Sequence, residues 1–290
     1  ILLGNVLTPG RGYADGPFAS EAELRDLVDA AEANELIEAG ESKMIHSVID
    51  LGDTIVKEVM VPRTDVVFVT RERTLRQLLS LALRSGFSRI PVVGKDLDEV
   101  VGIVYLKDVS KRIYDFPDAE RIETVGDIMR PAAFVPDSKK VSELLHDMQL
   151  SHTHLVVVID EFGGTAGLAT IEDILEEIVG EIVDEYDHDA PPIAALGAGR
   201  YRVSSRLPLD ELGALFGVNL DDDDVETVGG LMAKQLNLVP IPGSRTVVGD
   251  IELVADRAVG RRHQIGTVLV RQLAPGELGT TTHDDEDEDD

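Results

Sequence analysis

A chain of 290 residues with 43% hydrophobic content has enough apolar material for two domains. Its formal charge of −28 argues against a nucleic-acid footprint, which needs a basic face, and disfavours tight adsorption on an anionic membrane; the charge is not confined to the tail, since the seven acids of 284–290 leave 48 against 27 basic residues. No cysteine is present, so disulfides and thiolate metal sites are excluded, and no run of about 18 apolar residues exists that would make a complete membrane helix.

In chain order, ILLGNVL and TPGRGYADGP open the sequence at Ile1 rather than Met, and 1–17 reads as the end of a truncated segment or a loose leader. Segment 18–55 is helical. Ser20 and Glu23 form a capping box ahead of a stripe of Leu24, Leu27, Val28 and Ala31, and a second helix over 41–51 carries Met44, Ile45, Val48 and Leu51.

From 56 to 182 one fold is written twice. The first copy runs VMVPRTDVVFV (59–69), TLRQLLSLALRSG (74–86), SRIPVV (88–93) and VGIVYLKDV (101–109); the second runs IMRPAAFV (128–135), SKKVSELLHDM (138–148), THLVVVIDEFGGT (153–165) and AGLATIEDIL (166–175). Arg89 and His154, Gly102 and Gly167, and Asp108 and Asp173 are each 65 residues apart, whereas Met60 and Met129 are 69 apart. Each copy predicts helix, strand, strand, helix. Leu75, Leu78, Leu79 and Ala82 make an amphipathic stripe, with Thr74 and Gln77 as a capping box and Gly86 as the stop. Strands at 90–93 and 101–105 follow across a polar turn, and the second copy repeats the order with Val141, Leu144, Leu145 and Met148, then 155–159 and 165–169. A unit of this size cannot close its own core, so two units packed sheet against sheet are expected.

The helix beginning at Thr170 is expected to run to 187. It is acidic on most of its surface through Glu172, Asp173, Glu176, Glu177, Glu181, Asp184 and Glu185, and apolar along Ile171, Ile174, Leu175, Ile178 and Ile182. A solvated face explains those charges more simply than a metal site. His152 and His154, which could share a strand face, lack a third ligand at zinc spacing. Residues 187–199, with Pro191 and Pro192, read as a linker. Beyond it 200–273 predicts a compact unit in the order β-α-α-β-β: strands at 201–205, 247–255 and 265–272, a stripe of Leu209, Leu212, Leu215 and Phe216, and a helix over 227–236. The end, 274–290, is an acidic tail predicted to be disordered. No G-x-S-x-G, Walker loop or G-x-G-x-x-G is present, so no enzyme is expected.

The duplicated words SRIPVV and GLATIED resemble a pair of cystathionine-β-synthase (CBS) motifs, the Bateman module. EVMVPRTD (58–65), DEFGGTAG (160–167) and EDILEEIVGEIVDE (172–185) resemble more narrowly the CorC/HlyC family, hemolysin-like membrane proteins linked to Mg²⁺ and Co²⁺ transport and related to the cyclin M transporters. ETVGGLM (226–232) and PIPG (240–243) resemble that family's transporter-associated domain, which is likened in fold to part of FAD-binding oxidases. The fold class so implied is α/β and α+β: a tandem CBS pair over 56–186, then a small α+β domain. The resemblance also implies a membrane-spanning domain N-terminal to Ile1, a place at the cytosolic face of the cell membrane, homodimers formed through the CBS modules, and 18–55 as a coupling element, though an ordinary helical cover reads as well.

A strand passing into a helix at Ile171 presents free backbone N–H groups, a carboxylate one turn on can accept ribose hydroxyls, and a threonine hydroxyl can donate to phosphate. By resemblance to adenosine-nucleotide-binding CBS pairs, Thr170 and Asp173 work with Ser88, Arg89, Ile90 and Pro91, with Val66 and Val67 beside the base and Phe87 near its ring. ATP with Mg²⁺ is the expected ligand, the metal riding on the phosphates with no site in the protein alone. Thr170 and Asp173 are equally a cap that needs no ligand. A weaker second site would use Tyr105, Lys107, Asp108, Thr153, His154 and Val156, where Tyr105 stands in place of Thr170. A ligand-free scaffold is the alternative reading. An FAD protein is a third, with no isoalloxazine site visible in the sequence.

Overall fold

The computed structural model describes residues 20–96, 98–180, 191–260 and 263–274. The first CBS copy and its lead-in contain α1 (Glu21–Ala33), α2 (Ala39–Leu51), α3 (Val56–Val59), β1 (Val61–Pro62), a 3-10 turn (Arg63–Asp65), β2 (Val69–Thr70), α4 (Leu75–Ser85), β3 (Arg89–Val93), β4 (Val100–Tyr105) and α5 (Leu106–Asp115). The second contains α6 (Ala119–Ile122), α7 (Val125–Ile128), β5 (Phe134–Pro136), α8 (Val141–Ser151), β6 (Leu155–Ile159), β7 (Thr165–Thr170) and α9 (Ile171–Val179). Then come β8 (Ile193–Gly197), β9 (Arg200–Ser204), α10 (Leu209–Phe216), α11 (Val228–Leu236), β10 (Arg245–Val248), β11 (Ile251–Val259) and β12 (Gln264–Gln272).

These residues form two compact units, of which the smaller comprises 20–59, 138–154 and 170–180. In it α2 packs on α1 and α9, and α8 on α9. Ser20 caps α1 by accepting the Glu23 N–H at 3.3 Å, and Val28 and Leu51 are buried. The rest of the predicted stripes is partly covered at best: Leu24, Leu27, Met44, Ile45 and Val48 are exposed. The short α3 is tied to the start of α8 by the Val56 N–H to the Lys139 carbonyl, 2.9 Å, and the Val141 N–H to the Thr54 carbonyl, 3.0 Å.

The larger unit holds the strands of the CBS pair and the C-terminal domain. The predicted capping box of α4 is present: Gln77 N–H donates to Thr74 Oγ1 and Thr74 N–H to Gln77 Oε1. Gly86 ends the helix at φ +77°, a left-handed geometry that glycine adopts without a Cβ penalty. Leu75, Leu78 and Ala82 pack on Ile90, Val92 and Val104 of a three-stranded sheet ordered β2-β3-β4. The second sheet is ordered β1-β7-β6-β5. The two meet face to face as expected, Val93, Val100 and Ile103 of the first against Leu155, Val157 and Leu168 of the second.

The entry segments are exchanged between the copies. β1 of the first copy pairs with β7 of the second, Val61 opposite Leu168. Reciprocally, Arg130 of the second copy bridges Ile103 of the first through two backbone hydrogen bonds of 2.8 Å. The 69-residue spacing of Met60 and Met129 belongs to these crossing segments, which are out of step with the 65-residue period of the strands they pair with.

Three expectations are corrected. Helix α9 stops at Val179 because Gly180 takes φ +79°, and the remainder of the predicted helix, 181–187, lies outside the described residues, as do 1–17 and all of the tail beyond 274. The predicted linker contains β8, which pairs with β9 across a turn where Ala198 and Gly199 have φ +54° and +70°. The predicted strand over 247–255 is two strands, β10 and β11, separated by a turn at Gly249, φ +62°. The C-terminal domain is therefore β-β-α-α-β-β-β, a sheet ordered β10-β11-β12-β9-β8 with Leu212, Val228 and Met232 of α10 and α11 buried against Leu253 and Val268.

Candidate functional site

Thr170 and Asp173 form a closed capping box at the start of α9. Asp173 Oδ2 accepts the Thr170 N–H at 2.8 Å and the Thr170 hydroxyl at 2.7 Å, while the Thr170 hydroxyl oxygen accepts the Asp173 N–H at 3.1 Å. Asp173 is 7% exposed. A hydroxyl has one proton, and here it is given to Asp173. The donor role toward phosphate expected of Thr170 would require it to turn away from that partner.

Ser88, Arg89, Ile90 and Pro91 lie at the start of β3, where Arg89 is opposite Tyr105 of β4 and the Ser88 carbonyl accepts the Leu106 N–H at 2.9 Å. Ser88 is exposed, Arg89 half-buried, and Ile90 and Pro91 buried. The Nε of Arg89 is buried without a hydrogen-bond partner. A buried guanidinium donor left unanswered costs free energy, so the atom suits an oxyanion acceptor supplied by a ligand. Val66 is buried in the core between the sheets, and the half-buried Val67 follows it. Phe87 packs on the α4 core and meets the His263 ring edge to face, with centroids 5.1 Å apart. The Arg84 Nε donates to the Pro242 carbonyl beside this contact, at 3.0 Å.

The second set divides similarly. Tyr105 is the N-cap residue of α5 without a capping side-chain bond, and Asp108 is gripped by Arg130, Nε to Oδ2 at 2.7 Å and Nη2 to Oδ1 at 2.8 Å. That carboxylate is therefore engaged where a ribose would need it free. Lys107 is exposed, Thr153 half-buried, His154 exposed and Val156 buried. His152 ends α8 at φ +52°, before the strand begins, so the two histidines do not share a strand face. Arg130 escaped the sequence reading; its only signal was a basic residue beside the proline of the second entry segment. Among the described residues no three His, Asp or Glu side chains gather at metal-binding range, and no helix is long and apolar enough to cross a membrane.

Family models match this chain as CBS domains over 56–115 and 125–180 and as the CorC_HlyC transporter-associated domain over 194–274. A UPF0053 protein of Mycobacterium tuberculosis is 50% identical over 279 residues, 95% of this chain and 64% of that protein. This chain thus spans about two thirds of the length of its mycobacterial relative. The magnesium and cobalt efflux protein CorC of Pasteurella multocida is 32% identical over 86% of this chain and 83% of its own length, and that of Escherichia coli 34% identical over 83% and 82%. The solved CBS domain of a bacterial CNNM/CorC family Mg²⁺ transporter is 41% identical, covers 58% of this chain and all of its own, and superposes with a TM-score of 0.54. A structure of such a domain with the inhibitor IGN95a is 40% identical and covers 57% of this chain and all of its own, with a TM-score of 0.51. With a CBS pair followed by the transporter-associated domain, and with CorC proteins matched along most of their length, the chain belongs to the CorC/HlyC family.

Proposed function

We propose that this chain is the nucleotide-sensing regulatory region of a membrane protein that moves Mg²⁺ or Co²⁺, acting at the cytosolic face of the membrane. The observation that carries this reading is the buried, unanswered Nε of Arg89 within Ser88-Arg89-Ile90-Pro91. Two further findings support it. Relatives are magnesium and cobalt efflux proteins, and the CBS domain of a similar transporter takes up a small molecule, the inhibitor IGN95a.

In this reading an adenosine nucleotide, ATP foremost, is taken up by the CBS pair. Arg89 serves its phosphates, Asp173 and Thr170 its ribose and phosphate, and Val66, Val67 and Phe87 its base. Mg²⁺ would ride on the phosphate oxygens and screen their charge against an acidic chain. Chains pair through their CBS modules, and nucleotide-driven closure is passed through α1 and α2 to a membrane part preceding this segment. The exposed Leu24, Leu27, Met44, Ile45 and Val48 supply apolar surface for that transmission. An effector shifts such an equilibrium only through unequal affinity for its two states.

The second reading, a ligand-free scaffold, is favoured by the Thr170–Asp173 box, which is complete without a ligand. Calorimetry with ATP, ADP and AMP, with and without Mg²⁺, separates the two. The nucleotide reading expects binding by the wild type that Mg²⁺ strengthens, and a loss of binding in Arg89→Gln and in Asp173→Ala variants whose circular dichroism shows a native fold. A wild-type chain that binds no adenosine nucleotide under any of these conditions would leave the scaffold.

A further inference from the structure

The sheet of the C-terminal domain buries one face under α10 and α11, through Val203, Leu253, Ala255, Val268 and Val270. Side chains alternate along a strand, so the positions between these turn to the opposite face. Arginines occupy that face on four strands: Arg200 and Arg202 of β9, Arg245 of β10, Arg257 of β11 and Arg271 of β12. Arg257 joins them because the register shifts after Ala255 and sets it opposite Thr267, and Asp256 also lies on this face, where its carboxylate accepts the Thr267 hydroxyl at 3.2 Å.

Two carboxylates among the described residues pair with these arginines. Glu252 takes Arg245 Nη1 at 3.1 Å on one oxygen and Arg271 Nε on the other, and Asp256 takes Arg202 Nε at 2.6 Å. Five guanidinium groups against two carboxylates leave three positive charges in excess on one face of a chain whose net charge is −28. Arg271 also stands directly opposite Arg200 in the register, and like charges in that relation repel. An anion laid across the strands would relieve this.

The sequence supplies one close at hand. The chain leaves the sheet at the end of β12, the middle strand, and all of 284–290 is acidic. Residues 273–283 lie between them; a coil of that length spans about 18 Å, and five strands side by side cover about 19 Å. So short a tether gives an effective concentration on the order of millimolar. The rest of the chain, with 48 acids against 27 basic residues, repels such a segment, whereas planar guanidinium forks match carboxylates two oxygens at a time. We propose that the acidic end of this chain, 284–290, docks on the arginine face of its own C-terminal sheet. Docked there, it screens Arg200 from Arg271 and keeps other anionic surfaces off the face.

The chain has no cysteine, so Asp290→Cys carries a single spin label, and paramagnetic broadening of amide NMR signals in the full chain maps where the tail rests. The expected result is stronger broadening at 200–202, 245–247 and 269–271 than in α10 and α11. It should vanish in 1 M salt, where the screening length falls to about 3 Å. Arg200 and Arg257 are exposed, so their joint replacement by Gln leaves the fold intact, and it should weaken the broadening about twofold or more. Equal broadening of the two faces, broadening centred on β3 and β4, or broadening indifferent to salt or to the two substitutions would overturn the docking. Broadening that also arises between an isotope-labelled chain and a separate spin-labelled chain would overturn it too, by giving the face to the tail of a second copy.

Discussion

Gly102 lies against the backbone of Arg130, so close that a Cβ at Gly102 would stand 2.7 Å from the Arg130 carbonyl oxygen and 2.9 Å from Met129 Sδ. Its counterpart 65 residues on, Gly167, is crossed in the same way by the carbonyl of Val61 and by Met60 Sδ. The two glycines are where each copy admits the other's entry segment. Gly102→Ala and Gly167→Ala should each destabilise the chain by about 1–3 kcal/mol, the usual cost of overpacking, because backbone and not a flexible side-chain tip is in the way. Urea denaturation measures this, and Gly163→Ala is the control: Gly163 has positive φ but open space around it, so it should show backbone strain without a clash. No measurable loss at Gly102 or Gly167 would show that the crossing is loose.

The box at α9 predicts a split between stability and binding. Thr170→Val removes the oxygen that accepts the Asp173 N–H and the donor to Asp173 Oδ2, and should cost about 0.5–2 kcal/mol as a lost helix cap. Thr170→Ser keeps both bonds and should restore stability. If Thr170 also serves a nucleotide, Thr170→Ser retains affinity and Thr170→Val loses it by more than the destabilised fraction accounts for. Loss of stability with unchanged nucleotide affinity would confine Thr170 to capping.

The period of the CBS pair was legible because both copies bury the same stripe. Leu75, Leu78 and Ala82 in one and Val141, Leu144 and Met148 in the other are all buried, and hydrophobic burial is what repeats in a sequence. The exchange of entry segments was not legible, since pairing of Val61 with Leu168 is a long-range choice that local pattern does not encode. Strand β8 leaves little signal in the sequence because it is an edge strand with Ala194 and Ala195 at its centre and two prolines before it, which gives little alternation. The spacing of apolar residues past Gly180 does not mark the end of α9, where Gly180 breaks the helix with a positive φ of +79° that glycine alone adopts freely. At the site, the motif words named Arg89 and Asp173, but neither Arg130 nor the direction of the Thr170 proton can be read from local spacing.

Acid should loosen the first copy in a defined way. Hydrogen bonds from Arg112, reinforced by its charge, hold the Glu123 carboxyl below its ordinary value of 4.5, and the Thr124 N–H and hydroxyl hold Asp127 below 3.8. A carboxyl whose folded value is depressed binds its proton more readily when unfolded. It therefore stabilises the fold above its unfolded value, and that contribution is lost as pH falls through the lowered one. Glu123 follows α6, which packs on α4, and its carbonyl accepts the Leu75 N–H at 3.1 Å; Asp127 lies in α7, whose Val125 N–H bonds the Arg73 carbonyl just before α4 at 2.8 Å. Thermal midpoints measured from pH 6 down to pH 3 should fall less steeply in Glu123→Gln than in the wild type. Parallel curves would assign the acid sensitivity elsewhere.

Gly86 rests against the imidazole of His263. Gly86 has φ +77°, and a Cβ there would lie 2.7 Å from Cε1 and 2.8 Å from Nδ1 of the His263 imidazole. Gly86→Ala therefore carries two separable penalties. One is the left-handed backbone, about 1–2 kcal/mol for a residue with a Cβ; the other is the collision with a ring of the C-terminal domain. His263→Ala removes the second penalty and leaves the first. In a double-mutant cycle, Gly86→Ala should thus cost less in the His263→Ala background than in the wild type, the difference reporting the contact itself. Because Phe87 meets the same imidazole and adjoins Ser88 and Arg89, the cycle should be repeated with nucleotide present. A coupling that changes on nucleotide addition would tie the C-terminal domain to the CBS site, while identical costs in both backgrounds would mean that His263 does not rest on Gly86 in solution.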